Sequence, residues 1–574
     1  MNTAIPTDYW VKPPYERHQL VLFSPSVDEA VPQGHAVREL DTILARLDWS
    51  EFEQSYDGVR GQPPIHPRYV AAATLYGIIC GVRSSRQVED ATRLRIDFIW
   101  LLRGLTIDHA TVAKFRTRFK APLKTLFRQV NRQALQRMES RLADLIFDGT
   151  RVRANSDRHG ARTADWLERR LEELQRQMEG ALEQMGTADL REDLEAAAPE
   201  ALQNHLDGLR HEIERCEKAL AVARERDQAK REKDGQAATP VRVPVTDPEA
   251  SLLPNKEGGY APNYTPVAAV DGGSGLILAA EVLPDGSEAA AVQPMLQAVQ
   301  QDHETSPQRI LFDSGFASGA NQEALADKGI AVYAPVDSPS GAQHPAQRED
   351  PSQPLPPERI AALPRVKSTG KLDRNAFLYD PERDLYWCPL GRPLPPARTL
   401  SRQTADGQVA YTEYQCRDCE HCPLSVACLS RDARRRRINR DQFEAVREET
   451  ARRMATVEGK AVYRRRAPVI EGTFGCLKSI MGIRRFLLRG LTKVRLEWLW
   501  ICTAFNLKKL LRFLAGSGAG RPHLPPPTPP GLRRTPSGFI PGRSPAAWHL
   551  GGPFFSMPLR LVDPHHGASG RRAA

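Results

Sequence analysis

Three acidic residues stand where an enzyme of phosphoryl transfer would need oxygen ligands. Asp148 lies in Leu145-Ile-Phe-Asp-Gly-Thr150, Asp313 in Ile310-Leu-Phe-Asp-Ser-Gly315, and Glu471 in Val469-Ile-Glu-Gly-Thr-Phe-Gly475. Carboxylates are the hard ligands that Mg²⁺ takes. A pair of such ions roughly 4 Å apart activates water and steadies the leaving oxygen when a phosphodiester is cut. Taken singly, an Asp at the end of an apolar run is more often a turn residue. The case rests on the elements that carry the three acids.

Asp148 and Asp313 close β-favouring runs and precede Gly or Ser-Gly, which predicts two strand C-termini. Glu471 opens a helix, since Pro468 suits a first turn where its missing N–H costs nothing. Gly475 and Lys478 follow Glu471 at i+4 and i+7, on one face. That face either binds metal and contacts a phosphate or carries an ordinary surface pair. Between the aspartates, strands are predicted at Tyr264–Val270 and Leu276–Leu283 around the hairpin signal Asp271-Gly-Gly273. A helix over Glu288–Asp302 leads to the strand ending at Asp313. A helix at Asn321–Asp327 and a strand at Ile330–Val336 follow. This order matches an α/β fold with a ribonuclease-H-like mixed sheet.

The core is then read in three parts, 138–158, 259–337 and a helical 441–515. A helical domain (1–137) precedes it, and a helical arm with a linker (159–258) and a loop with a cysteine-rich module (338–440) interrupt it. Residues 516–574, rich in Pro, Gly and Arg, read as a disordered tail. In the first domain, Pro67 opens a helix through Val70, Leu75, Ile78 and Ile79. Ser84 or Ser85 caps the next, with Glu89 near a capping-box position. A third helix from Asp108 carries Val112, Phe115, Phe119, Leu123 and Leu126. With Lys114, Arg116, Arg118 and Lys120 it permits either a helix-turn-helix DNA-binding unit or plain packing beneath a basic face. In the arm, Leu202, Leu206, Leu209, Ile213, Cys216 and Leu220 alternate steps of four and three, a coiled-coil seam. Leu167, Leu171, Leu174 and Met178 form its partner, with a turn expected at Gly186–Asp193 and a flexible link at Arg224–Asp247.

The formal net charge is +10, with Arg and Lys concentrated at 431–440 and 464–512. Such clustering fits a polyanion partner or, for a single cluster, a solvated face. The first fifteen residues contain no apolar signal core, and no apolar run reaches the roughly 20 residues of a membrane span. A cytoplasmic protein is expected. Its nine cysteines therefore read as thiols or metal ligands rather than disulfides. Five fall together: Cys388, Cys416, Cys419, Cys422 and Cys428. The CxxCxxC spacing lets four of them close a tetrahedral structural zinc, with an iron–sulfur cluster, redox thiols or no metal as alternatives. Cys80, Cys216, Cys476 and Cys502 sit in apolar helical patterns as packing residues.

The segment Tyr463-x-x-Arg466, then Glu471 and Lys478, resembles the third motif of the DDE transposases of bacterial insertion sequences. Gly482-Ile-Arg-Arg-Phe486, Arg489-Gly490 and Asn506-Leu-Lys-Lys509 continue the likeness. Asp148 in Asp-Gly-Thr and Asp313 in Asp-Ser-Gly-Phe resemble the first two motifs. Thr111-Val-Ala-Lys-Phe-Arg116 looks like the helical domain that precedes this core, and the cysteine module like one between the second and third acids. The resemblance spans roughly residues 15 to 515. It implies that Asp148, Asp313 and Glu471 hold two Mg²⁺, with Mn²⁺ able to substitute. Tyr463, Arg466, Lys478 and Arg116 would contact DNA. The partners implied are the element's terminal inverted repeats, target DNA and a second copy of the chain in a synaptic dimer at the nucleoid. A nuclease without strand transfer and a catalytically inactive DNA-binding remnant are the rival readings. Two departures from the family pattern stand out: Pro468 should bend the chain between Arg466 and Glu471, and the long Pro- and Arg-rich tail beyond Gly516 is atypical.

Overall fold

The computed structural model describes residues 26–56, 64–189, 198–234, 239–254, 258–335, 344–404, 407–431 and 433–516. Half of the arm's expected turn, 190–193, and the C-terminal tail beyond Gly516 lie outside them. The N-terminal region is helical, with α1 (Pro67–Ile79), α2 (Ser85–Leu94), α3 (His109–Arg118) and α4 (Lys120–Arg137) as its main elements. Ser84 caps α2 in a full capping box, but its partner is Gln87. Glu89 instead pairs with Arg93 and His109. The single helix expected from Asp108 through Leu126 is broken at Phe119. Pro122 explains the break, because its ring has no N–H and would strike the carbonyl of Arg118, four residues back.

A mixed sheet follows. Its centre is β1 (Asp144–Gly149), continued by the short β2 (Val152–Arg153). The long β4 (Tyr260–Asp271) pairs antiparallel with β1 and β2 on one edge. On the other it pairs with β3 (Ser251–Pro254) and β5 (Ile277–Leu283). On the far side of β1 run the parallel strands β6 (Arg309–Leu311) and β7 (Ala331–Tyr333). Leu145, Phe147, Val267, Val270, Ile310 and Phe312 are buried in this sheet's packing.

The arm's helices, α5 (Ala164–Asp189) and α6 (Ala198–Asp234), pack through Leu167, Leu171 and Leu174 against Leu206, Leu209 and Cys216. The first part of the link expected over Arg224–Asp247 is helix, since α6 runs on to Asp234. Its polar residues are anchors: Arg226 donates to the carbonyls of Glu249 and Ala250, and Asp227 accepts from the Val241 amide. Polarity alone suggested a solvated chain; tertiary partners order it.

Beyond the sheet come α7 (Val292–His303) and α8 (Gly319–Asp327). A second, antiparallel sheet joins β8 (Pro396–Thr404), β9 (Gly407–Gln415) and β10 (Arg437–Asp441) over a small core with Phe377, Tyr386, Tyr414 and Cys416. The chain then continues as α9 (Glu444–Ala455), α10 (Val457–Arg464), α11 (Arg466–Gly475) and the long α12 (Leu491–Gly516).

Helix α12 binds the N-terminal helices to the sheet. Trp498, Ile501, Phe505 and Leu510 are buried. The Asn506 side chain accepts from the Ile277 amide and donates to the Ile277 carbonyl and to Asn131 on α4. Arg83 donates to the carbonyls of Gly482 and Arg485 and pairs with Glu497 at 3.0 Å. Replacing it by Met leaves a mostly buried carboxylate without its cation. Arg83→Met is expected to lower stability by about 2 kcal/mol, read by denaturant unfolding of the full chain.

Candidate active site

The sheet register brings the two aspartates together. Residues of β1 and β6 pair in parallel through Asp144↔Arg309, Leu145↔Ile310 and Ile146↔Leu311. Carried two residues further, the same register sets Asp148, in the last two residues of β1, beside Asp313, just past the end of β6. Period-two alternation then turns both side chains to one face. Each chain leaves through a turn closed on its own carboxylate: Asp148 accepts from the Gly149 amide, Asp313 from that of Gly315, both at 3.0 Å.

Arg466 reaches the pair from above. Its Nη2 lies 3.0 Å from Asp148 Oδ1 and 3.7 Å from Asp313 Oδ2. Its Nε is buried without a hydrogen-bond partner. The preceding Arg465 turns to Asp144 at 3.4 Å, so the start of α11 spans the face of β1. Tyr463, on α10, donates its hydroxyl to the carbonyl of Phe312, the residue before Asp313. The bend expected between Arg466 and Glu471 falls instead at Arg465, between α10 and α11. Pro468 cannot accommodate a helical carbonyl four residues back, at Arg464. Arg466 and Glu471 consequently share one unbroken helix.

Glu471 is exposed on that helix and makes no hydrogen bond or ion pair among the described residues. Lys478 lies in the π-helical turn Cys476–Ile480 that extends α11. The structure thus joins Asp148, Asp313, Arg466 and Tyr463, and carries Glu471 on the same helix as Arg466 without drawing its side chain into the pair. Among the described residues, no group of three or more His, Cys, Asp or Glu converges closely enough to hold a metal. The donor chemistry at the aspartates still fits a hard divalent cation, because a guanidinium already bridges their oxygens.

Arg116 is a correction. Expected on a DNA-facing surface, it is buried beneath α12, with Nη1 donating to the Arg83 carbonyl at 2.5 Å and the Trp500 indole donating to its own carbonyl. Burial pushes its pKa down to about 10. In the amphipathic pattern of α3 it falls on the packed side, which cation content alone does not reveal.

Sequence reasoning missed the role of Glu288, placing it only as the first residue of a helix. Its half-buried carboxylate faces the aspartates, and burial together with the charges of Asp313 and Asp148 pushes its pKa up to about 7. No local motif marks it, because only the fold returns the β5–α7 connection to the ends of β1 and β6.

The five clustered cysteines are free thiols, and Cys388, Cys416, Cys419 and Cys428 belong to or pack against one small core. The Arg392 amide donates to Cys388 Sγ at 3.2 Å and the Arg436 amide to Cys419 Sγ at 3.5 Å. Burial, with the neighbouring thiols Cys419 and Cys388 adding to it, pushes Cys416 up to about 12. The other four cysteines lie apart from this group, as packing residues would.

No described helix is long and apolar enough to cross a membrane. No curated protein and no solved structure matches the chain. Two families do match: the transposase domain DUF772 over residues 25–118, and the transposase DDE domain over residues 387–511, which takes in the cysteine module, α11 and most of α12. Both matches are to transposase domains, and together they support a DDE transposase of an insertion element.

Proposed function

We propose that this transposase binds the terminal inverted repeats of its element, cuts DNA there and joins the freed end to a target. The observation that carries the reading is the pairing of Asp148 and Asp313 at adjacent strand ends, under an arginine from the helix of Glu471. Asp148, Asp313 and Glu471 would hold two Mg²⁺ ions, for which Mn²⁺ can substitute. Bound there, such ions activate water and neutralise charge on the leaving oxygen. The freed 3′-hydroxyl is then the nucleophile of the joining step, with no covalent enzyme–DNA intermediate. Arg466 orients the carboxylates and, once cations bind, is free to make a bidentate phosphate contact. Lys478 supplies a point charge to the same strand. Tyr463 holds the strand before Asp313, and its ring edge borders the path of the DNA. Two element ends are cut together in a dimer, and the α5–α6 arm offers a surface for it.

Incubating the full-length protein with Mg²⁺ and a supercoiled plasmid carrying the element ends tests this. Joined products are expected. Cleavage without joining would favour a nuclease, and end binding without cleavage an inactive remnant.

A structural zinc held by four of Cys388, Cys416, Cys419, Cys422 and Cys428 belongs to the same proposal, supported by the amide-to-sulfur bonds. Purified protein is expected to carry about one zinc per chain, lost in Cys416→Ser. Metal analysis returning none in the parent would remove the zinc from the proposal.

A further inference from the structure

We propose that Glu288 serves the same centre as Asp148 and Asp313, as an additional oxygen ligand for a divalent cation. This rests on the reading of those aspartates as metal ligands. Glu288 closes the connection from β5 and stands at the start of a 3₁₀ turn, Ala289–Ala291, that leads into α7. Its side chain lies across the backbone that follows each aspartate. A Cβ placed on Gly149 would overlap Glu288 Oε1. One placed on Gly315 would stand 2.8 Å from Glu288 Oε2 and 3.2 Å from Asp313 Oδ1. The Glu288 carboxylate therefore lies against both Gly149, next to Asp148, and Gly315, two residues after Asp313, and the missing side chains there leave room for it.

Ordinary structural duties do not account for this placement. Glu288 is the N-cap residue of its turn, yet its side chain accepts no capping hydrogen bond. Its carboxylate forms no hydrogen bond or ion pair among the described residues, although it is half-buried. The nearest cations are engaged elsewhere: Arg466 with the two aspartates, Arg151 with the Pro254 carbonyl. Three carboxylates thus face one guanidinium whose own Nε is unsatisfied. A desolvated anion beside two others is unfavourable unless a cation joins them. A divalent ion among these oxygens supplies that charge, and Glu288 reaches it from a segment outside all three motifs.

The test is Mn²⁺ titration of the full-length protein without DNA, followed by electron paramagnetic resonance, alongside the Mg²⁺ dependence of cleavage. Glu288→Gln is expected to weaken Mn²⁺ binding about ten-fold or more and to raise the Mg²⁺ needed for cleavage. Gly149→Ala retains Glu288 but forces its carboxylate aside, and is expected to show the same loss. If both variants bind Mn²⁺ as the parent does while Asp148→Asn does not, Glu288 is no ligand and the inference falls. If Asp148→Asn itself binds as the parent does, the aspartate centre is what fails.

Discussion

Asp148→Asn is expected to reduce Mg²⁺-dependent cleavage of element ends by about a thousand-fold or more while end binding, read by gel shift, persists. Charge stabilisation by a bound metal contributes several kcal/mol at the transition state, and each 1.4 kcal/mol is about ten-fold in rate. Asn preserves the shape and the amide contact at Gly149, so the fold is not the casualty. Arg466 sharpens the prediction, because its closest carboxylate partner is Asp148 Oδ1 at 3.0 Å. Removing that charge loosens the guanidinium as well as the metal. Asp313→Asn is expected to behave alike. Glu471→Gln then separates two assignments of the third ligand. Loss of cleavage places Glu471 in the centre when DNA and metal are present. Parent-like cleavage by Glu471→Gln, with loss in Glu288→Gln, would pass the role to Glu288.

The second large effect concerns the attachment of the cysteine-bearing segment. Glu444 opens α9, its side chain is 1% exposed, and it pairs with Arg374 from that segment and with Arg447. Burial alone would raise its pKa, but the hydrogen bonds and charges of Arg374 and Arg447 outweigh it and hold the carboxyl near about 2, against an ordinary 4.5. That difference amounts to about 3 kcal/mol of linked stability. The folded pKa is the lower one, so this stability is fully present above about pH 4.5 and disappears as pH falls toward 2. Glu444→Ala, which removes the carboxylate partner of Arg374 and leaves Arg447 with Asp441 alone, is expected to cost about 3–5 kcal/mol at neutral pH. Urea unfolding of parent and variant at pH 7 and pH 3 checks both claims, since the difference between them should shrink in acid. An equal difference at both values would show that the carboxylate is not what anchors the segment.

Local chemistry made a good deal of this molecule legible. Strand ends at Asp148 and Asp313 follow from β-branched and aromatic runs stopped by glycine. The cap at Ser84 follows from hydroxyl chemistry, and the apolar periodicity of the arm predicts two helices that pack together. Errors arose where a long-range partner outweighs local composition. The polar stretch after Arg224 is ordered because Arg226 and Asp227 find backbone partners beyond the helix. Arg116 is buried because α12, almost four hundred residues later, covers it.

The sequence by itself determined which acids lie at strand ends and which helix carries Glu471, since these depend on a few adjacent residues. Tertiary structure alone decided that Asp148 and Asp313 are neighbours, that Arg466 reaches both of them, and that the Glu288 carboxylate lies against the glycines that follow them. Those facts depend on parallel register and on a connection that returns across the sheet. Pairing between residues 165 apart in the chain leaves no periodicity to read.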